Sequence, residues 1–233
     1  MNIYEIGSMA EKLASNTYPG RGIVLGQTPD GKKSVAAYFI MGRSVNSRNR
    51  VFIQEADGIR TEAYDPSLLA DPSLIIYHPV REVARALIVT NGDQTDTIRD
   101  YLEKGETFET ACSTREFEPD GPNWTPRVSG VRYACGGYQM SILKAADAEG
   151  TACTRNFFEY APKNGVGRFI STYEGFGSPL PSFHGEPVQV ELPQMTAEEY
   201  ADVLWNVLDA DNKVSLFVKL DDEMIIINKH QEV

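Results

Sequence analysis

The run Val35-Ala-Ala-Tyr-Phe-Ile-Met41 has no polar residue on either side of its alternation. A strand sends successive side chains to opposite faces, so an all-apolar strand must be covered on both. Such a strand does not fit a sheet with one wet face. Just before it, Gly22-Ile-Val-Leu-Gly26 is a second short apolar run, and Thr28-Pro-Asp-Gly31 between the two supplies turn chemistry. The pair reads as a hairpin with apolar cover above and below.

The same grammar continues along the chain. Val51–Glu55 and Ile59–Ala63 flank Ala56-Asp57-Gly58, a second hairpin signal. Ser73-Leu-Ile-Ile-Tyr77 and Arg85–Thr90 read as core strands. Further strands are expected at Val128–Ala134, Gln139–Ala145, Ala152–Tyr160 and Gly167–Tyr173, with a closing hairpin, Val214–Leu220 and Glu223–Asn228, around Asp221-Asp222. Helices are fewer. One begins after Asn91-Gly92, capped by Asp93 or Thr95, carries Ile98, Tyr101 and Leu102 as its apolar stripe, and stops at Gly105. A short one is expected over Thr107–Ser113. Another spans Thr196–Leu208, opened by the capping box Thr196-Ala-Glu-Glu199. Between Glu118 and Arg127 three prolines forbid either regular structure, leaving an irregular loop.

About ten strands overfill one twisted sheet. The fold class expected is therefore α+β: a four-layer α-β-β-α sandwich of two mainly antiparallel sheets with helices outside. No linker, repeat or low-complexity tract divides the 233 residues, so residues 1–233 read as a single domain. The N-terminus lacks a basic stretch followed by an apolar one, and the apolar runs are far too short to span a bilayer. Cys112, Cys135 and Cys153 form no CxxC pair, and His78, His184 and His230 form no HExxH-type pair. The expectation is a cytoplasmic protein with reduced thiols, no metal, no cofactor and no membrane partner. With 33 acidic against 22 basic side chains the net charge is −11, which excludes nucleic acid as the main partner, since that binding relies on phosphate neutralisation.

Against that acidic average stands Met41-Gly-Arg-Ser-Val-Asn-Ser-Arg-Asn-Arg50. Arg43, Arg48 and Arg50 offer planar forks of N–H donors suited to phosphate or carboxylate, and Asn46 adds a neutral donor and acceptor. For any single arginine a solvated turn is the simpler reading; three on one short connector favour an anion receptor. Three other connectors concentrate polar groups at strand ends. In Tyr18-Pro-Gly-Arg-Gly22, Arg21 sits between glycines that permit close approach. In Val89-Thr-Asn-Gly-Asp-Gln-Thr-Asp96, Asn91 and Asp93 lie where a helix start could hold an anion, or simply turn the chain. In the proline loop, Glu118 lies near Asp120 and Arg127 and could serve as an acid or base, or as half of a surface ion pair. Tyr77 is either core or site. His184, in Ser182-Phe-His-Gly185, is as well placed for a turn as for a base.

Taken in order, Tyr-Pro-Gly-Arg-Gly with its Thr-Pro-Asp-Gly turn, Met-Gly-Arg-Ser with Asn-Ser-Arg-Asn-Arg, Leu-Ile-Ile-Tyr, Asn-Gly-Asp-Gln-Thr-Asp, and Glu-Pro-Asp with Asn-Trp-Thr-Pro-Arg resemble the archaeal-type IMP cyclohydrolase family, in a bacterial branch. The specific motifs run from about residue 18 to 132 and weaken beyond. One departure is Gly26-Gln27, where some members carry a second Gly-Arg. The resemblance implies an N-terminal-nucleophile-hydrolase-like sandwich without self-processing, a homo-oligomer, and closure of 5-formamidoimidazole-4-carboxamide ribotide to IMP with loss of water. It implies Tyr77, Glu118 and Arg50 in catalysis, and Arg21, Arg43, Asn46, Arg48, Asn91, Asp93 and Arg127 in holding the purine ribonucleotide. Two rivals remain: an amidohydrolase on the related scaffold, with Cys135 before Gly136-Gly137 as its nucleophile, and a nucleotide-binding module without turnover.

Overall fold

A computed structural model describes residues 6–69 and 71–231; the first five residues, part of the stretch read for a signal segment, lie outside it. Among the described residues the chain forms fourteen strands and five α-helices. The first sheet comprises β1 (Gly7–Ser8), β12 (Val188–Glu191), β11 (Val166–Ser171), β2 (Arg21–Gln27), β3 (Ser34–Met41), β13 (Lys213–Leu220) and β14 (Glu223–Asn228), in that order. All its pairings are antiparallel except β1 with β12. The second sheet is a plain meander, β4 (Val51–Glu55) through β5 (Gly58–Glu62), β6 (Val80–Val83), β7 (Ala86–Thr90), β8 (Arg127–Arg132) and β9 (Tyr138–Ala145) to β10 (Cys153–Tyr160), antiparallel throughout.

Alternation along β2 and β3 explains their unbroken apolarity. Ile23, Leu25, Ala36, Tyr38 and Ile40 join one buried cluster with Phe52, Ile59, Val89, Val128 and Met140 of the second sheet. The intervening Val24, Val35, Ala37, Phe39 and Met41 point the other way, onto α1 (Met9–Ser15) and α5 (Ala197–Val207). The second sheet repeats the pattern: Ile88 and Val131 turn outward to Ile98 of α3 (Gln94–Glu103) and to Phe108, Ala111 and Cys112 of α4 (Phe108–Ser113). The sheets approach closely at Gly130, where a Cβ would stand 2.7 Å from Leu25 Cδ1. Each fully buried Ile, Leu or Phe contributes about 1.5–3 kcal/mol, so both faces of β2 and β3 act as the main anchor.

Several elements depart from the reading of the sequence. Ser73–Tyr77 is a turn rather than a strand. Pro72 and Pro79 bracket it, and its polar backbone is met by Thr61, whose hydroxyl donates to Ile75 O (2.7 Å) and accepts from Tyr77 N (2.9 Å). Its apolar side chains cover the sheet end instead of pairing in it. Asp93 is the N-cap of α3 as expected, yet no side-chain cap bond forms there. The strand total exceeds ten because β1, β6 and β12, of two to four residues, carry too little pattern to be seen. Helix α1, with its Ser8–Glu11 capping box, and the one-turn helix α2 (Val45–Arg48) inside the arginine segment were also unforeseen. By contrast α5 opens on Thr196 with the reciprocal Glu199 bond.

Candidate functional site

Antiparallel register brings the start of β2 and the ends of β3 and β11 to one end of the first sheet. The start of β4, the end of β7 and the start of β8 share an end of the second. A cleft of about 540 Å³ opens there, lined among others by Tyr18, Arg21, Arg43, Asn46, Arg50, Glu118, Asp120, Thr125 and Tyr173. That is within the usual range for a small-molecule site.

Gly20 delivers Arg21 into it. Its φ of +73° suits glycine, and a Cβ would lie 2.3 Å from Thr172 Oγ1. Buried Arg21 pairs through Nη2 with Glu118 at 3.2 Å from Oε1 and 3.3 Å from Oε2. Glu118 is 3% exposed. Burial pushes its carboxyl above the ordinary range, against the pull of Arg21 and Arg127. Burial works most strongly against the charge on Arg21, but Glu118 together with the surrounding Tyr173, Tyr77 and Tyr38 offsets it and the guanidinium stays firmly protonated.

Behind Glu118 lies a closed network. Asn91 Nδ2 donates to Glu118 Oε1 (3.3 Å) and to Pro126 O (2.9 Å), while its Oδ1 accepts from Val128 N (2.8 Å) and Gln94 Nε2 (3.0 Å). Arg127 Nη1 donates to Gln94 Oε1 (2.7 Å) and meets Asp93 Oδ1 at 2.6 Å; Arg115 also pairs with Asp93. Partial burial opposes ionisation of Asp93, yet Arg127 and Arg115 hold its carboxyl below the usual range. Asn91, Asp93 and Arg127 are thus drawn together around Glu118, and none of them lines the cleft itself. The N–H groups of Asn91 and Gly92 are taken by Val128 O and Thr90 Oγ1, so they are not open to an anion.

The facing wall is α2. Ser44 and Ser47 cap each other reciprocally and shape the single turn. Arg50, 2% exposed, donates through Nε to Ser47 O (2.8 Å), while its Nη1 is buried without a hydrogen-bond partner among the described residues. Asn46 Oδ1 is orphaned in the same way. Buried polar groups are rarely left unsatisfied, and both atoms belong to residues that line the cleft. Arg43, at the exposed rim, lies 5.4 Å from the Tyr18 ring centroid and donates to Gly177 O (3.2 Å). Arg48 turns away: it bonds Gly42 O (2.8 Å) and Asn212 Oδ1 (3.0 Å) and does not line the cleft. Tyr77 is buried beneath, its hydroxyl 2.8 Å from Tyr38 OH.

The lining groups that escaped the sequence reading as site residues include Asp120, Thr125 and Tyr173. The hydroxyl of Thr125 bonds both the Asp120 carboxylate and Tyr173 OH. Thr125 stood inside the Asn-Trp-Thr-Pro-Arg motif and could have been found from it; Tyr173, two residues beyond β11, gave no local signal. His184 is exposed and pairs with Glu174 outside the cleft. Cys135 is exposed in a turn and lines a separate hollow with Tyr133 and Tyr160. Among the described residues no group of three or more His, Cys, Asp or Glu could hold a metal, and no helix is long and apolar enough to cross a membrane.

Fold and cleft together define a class: a two-sheet α+β protein with a cleft lined by arginines and carboxylates at one end of both sheets. The chain belongs to the IMP cyclohydrolase-like protein family, whose profile matches residues 18–224. It is 31% identical over 160 residues to the IMP cyclohydrolase of Methanopyrus kandleri, covering 67% of this chain and 75% of that one. The Methanococcus aeolicus IMP cyclohydrolase is 28% identical over 161 residues, covering 67% and 74%. For that of Methanocaldococcus jannaschii the identity is 24% over 208 residues, covering 88% and 95%.

Proposed function

We propose that this protein is an IMP cyclohydrolase, closing 5-formamidoimidazole-4-carboxamide ribotide to IMP with release of water. The observation that carries the reading is the buried Glu118 carboxyl paired with Arg21 in a cleft whose opposite wall holds the unpaired Arg50 Nη1. Ring closure needs little covalent help. The carboxamide nitrogen and the formyl carbon sit on one imidazole, so the enzyme must fix the productive rotamer, stabilise the oxyanion and move protons.

In this reading Arg50, Asn46 and rim Arg43 hold the phosphate and polar ring substituents, each charge-assisted bond contributing about 1.5–3 kcal/mol. Arg21 stabilises the developing oxyanion, and Glu118, biased toward its neutral acid form by burial, protonates it. Asn91, Asp93 and Arg127 fix Glu118 in place. Tyr77 acts from below through Tyr38. Arg48 shapes α2 rather than touching the nucleotide.

The scaffold fits a single four-layer sandwich of the N-terminal-nucleophile-hydrolase type, supported by one apolar cluster shared between the sheets and helices packed on their outer faces. Kinship further supports a cytoplasmic homo-oligomer. The test is an absorbance assay of ring closure with the formylated ribotide: turnover to IMP is expected, and binding of IMP without any turnover would leave only a nucleotide-binding module.

A further inference from the structure

A second chain of hydrogen-bonded polar groups lines the cleft beside Glu118. Asp120 is pinned at both oxygens: Oδ1 accepts from Thr125 N (2.7 Å) and Oδ2 accepts the Thr125 hydroxyl. An ionised carboxylate can only accept, so Thr125 must donate its one hydroxyl proton to Asp120. The same oxygen is then left as acceptor toward Tyr173, which must donate to it. The chain therefore has a fixed polarity, Tyr173 O–H to Thr125 O–H to Asp120. It leaves the phenol oxygen of Tyr173 with acceptor capacity, and all three residues line the cleft that holds Arg21 and Glu118. The ring of Tyr173 is buried and stacked 6.1 Å from Tyr18, so its hydroxyl is held rigidly.

We propose that Tyr173, Thr125 and Asp120 form a proton relay serving the attacking nitrogen of the substrate, with Tyr173 the group that touches it; this rests on the cyclohydrolase reading above. As the carboxamide nitrogen bonds to the formyl carbon it sheds one proton to Tyr173 Oη. Tyr173 passes its own proton to Thr125 Oγ1, and Thr125 passes its proton to Asp120. Glu118 protonates the formyl oxygen. When the resulting hydroxyl departs, the relay returns its proton to it, the C–O bond breaks to release water, and the formamido N–H restores the proton of Glu118. Two protons leave substrate nitrogens, two leave in the water, and both protein groups end as they began. The exit of a nitrogen proton and the arrival of an oxygen proton thus fall to two different carboxyl groups, which one carboxyl could not serve at once.

The test compares wild type with Tyr173→Phe, Thr125→Val, Thr125→Ser and Asp120→Asn in the ring-closure assay, with IMP affinity measured by calorimetry. Tyr173→Phe keeps the ring and its stacking. It should lower kcat about 10²-fold while IMP affinity stays within about twofold. Thr125→Val should fall similarly, and Thr125→Ser should recover most of the loss. The double variant Tyr173→Phe with Asp120→Asn should be no slower than the worse single, because the groups act in series. Tyr173→Phe with near-normal kcat, additive losses in the double variant, or losses of turnover matched by losses of IMP affinity would each overturn the relay. A wild type that binds IMP but never closes the ring would bring down the cyclohydrolase reading and the relay with it, a result distinct from an active wild type indifferent to these changes.

Discussion

The two walls of the cleft are built on opposite plans. On the Glu118 side the groups behind the carboxyl are engaged with one another: Asn91 uses both amide hydrogens and its oxygen, and Arg127, Gln94 and Asp93 brace it from behind. On the α2 side the wall is one helical turn, and Arg50 and Asn46 carry buried atoms without partners among the described residues. A saturated network fixes position and pKa before any ligand arrives. Unsatisfied donors and acceptors gain their full value only when something binds. In the proposed function, chemistry is preorganised on one wall and affinity is held in reserve on the other.

The sharpest way to break that contrast is to alter each wall and ask which kinetic constant moves. Glu118→Gln keeps the shape and removes the proton; kcat should fall about 10²–10⁴-fold with little change in IMP affinity, read by steady-state kinetics and calorimetry. Equal losses in both would make the two walls alike. Arg50→Ala should raise KM roughly ten- to a hundredfold, the loss of one charge-assisted contact, with a smaller effect on kcat. Unchanged kinetics would remove Arg50 from the site. Arg48→Ala, which strips the bonds to Gly42 and Asn212, should cost about 1 kcal/mol in urea unfolding and leave KM nearly untouched. A KM effect as large as that of Arg50 would place Arg48 in the cleft. Asp93 gives the smallest effect. Its carboxyl is held below the unfolded value, so it contributes stability above about pH 4 that is lost as pH falls through the folded value. Half-exposed and screened, it should be worth a few tenths of a kcal/mol, and Asp93→Asn should flatten the acid limb of the unfolding curve by that amount.

How much of this was legible beforehand depended on whether the signal was local. In the second sheet β4 and β5 form a hairpin, so the turn chemistry of Ala56-Asp57-Gly58 announced the pair. The α5 helix was visible through Thr196 and Glu199 because a capping box is a four-residue code. Ser73–Tyr77 misled because apolarity records burial, not pairing: Ile75 and Tyr77 are buried over the sheet end while Thr61 meets their backbone. In the candidate site, the sequence singled out Arg21, Arg43, Asn46, Arg50 and Glu118 on three separate connectors, and the structure brings these five into one cleft. It could not tell Arg50 from Arg48, two residues apart on one connector, since Arg48 is drawn away by Gly42 O on that connector and by Asn212 from across the fold. Tyr173 was invisible because its partner, Thr125, lies 48 positions away.

The loop that carries Glu118 also carries an optical reporter. Trp124 sits between the lining residues Asn123 and Thr125, edge-on to Phe117 at 5.6 Å, with its indole N–H donating to Ala148 O (2.9 Å). The chain has two tryptophans, and the other, Trp205, is a buried residue of α5 in the cluster on the far face of the first sheet. Replacing Trp205 with Phe would leave a single fluorophore beside the cleft. Its emission could then follow nucleotide capture in stopped flow, resolving arrival at the cleft from the ring closure that comes after.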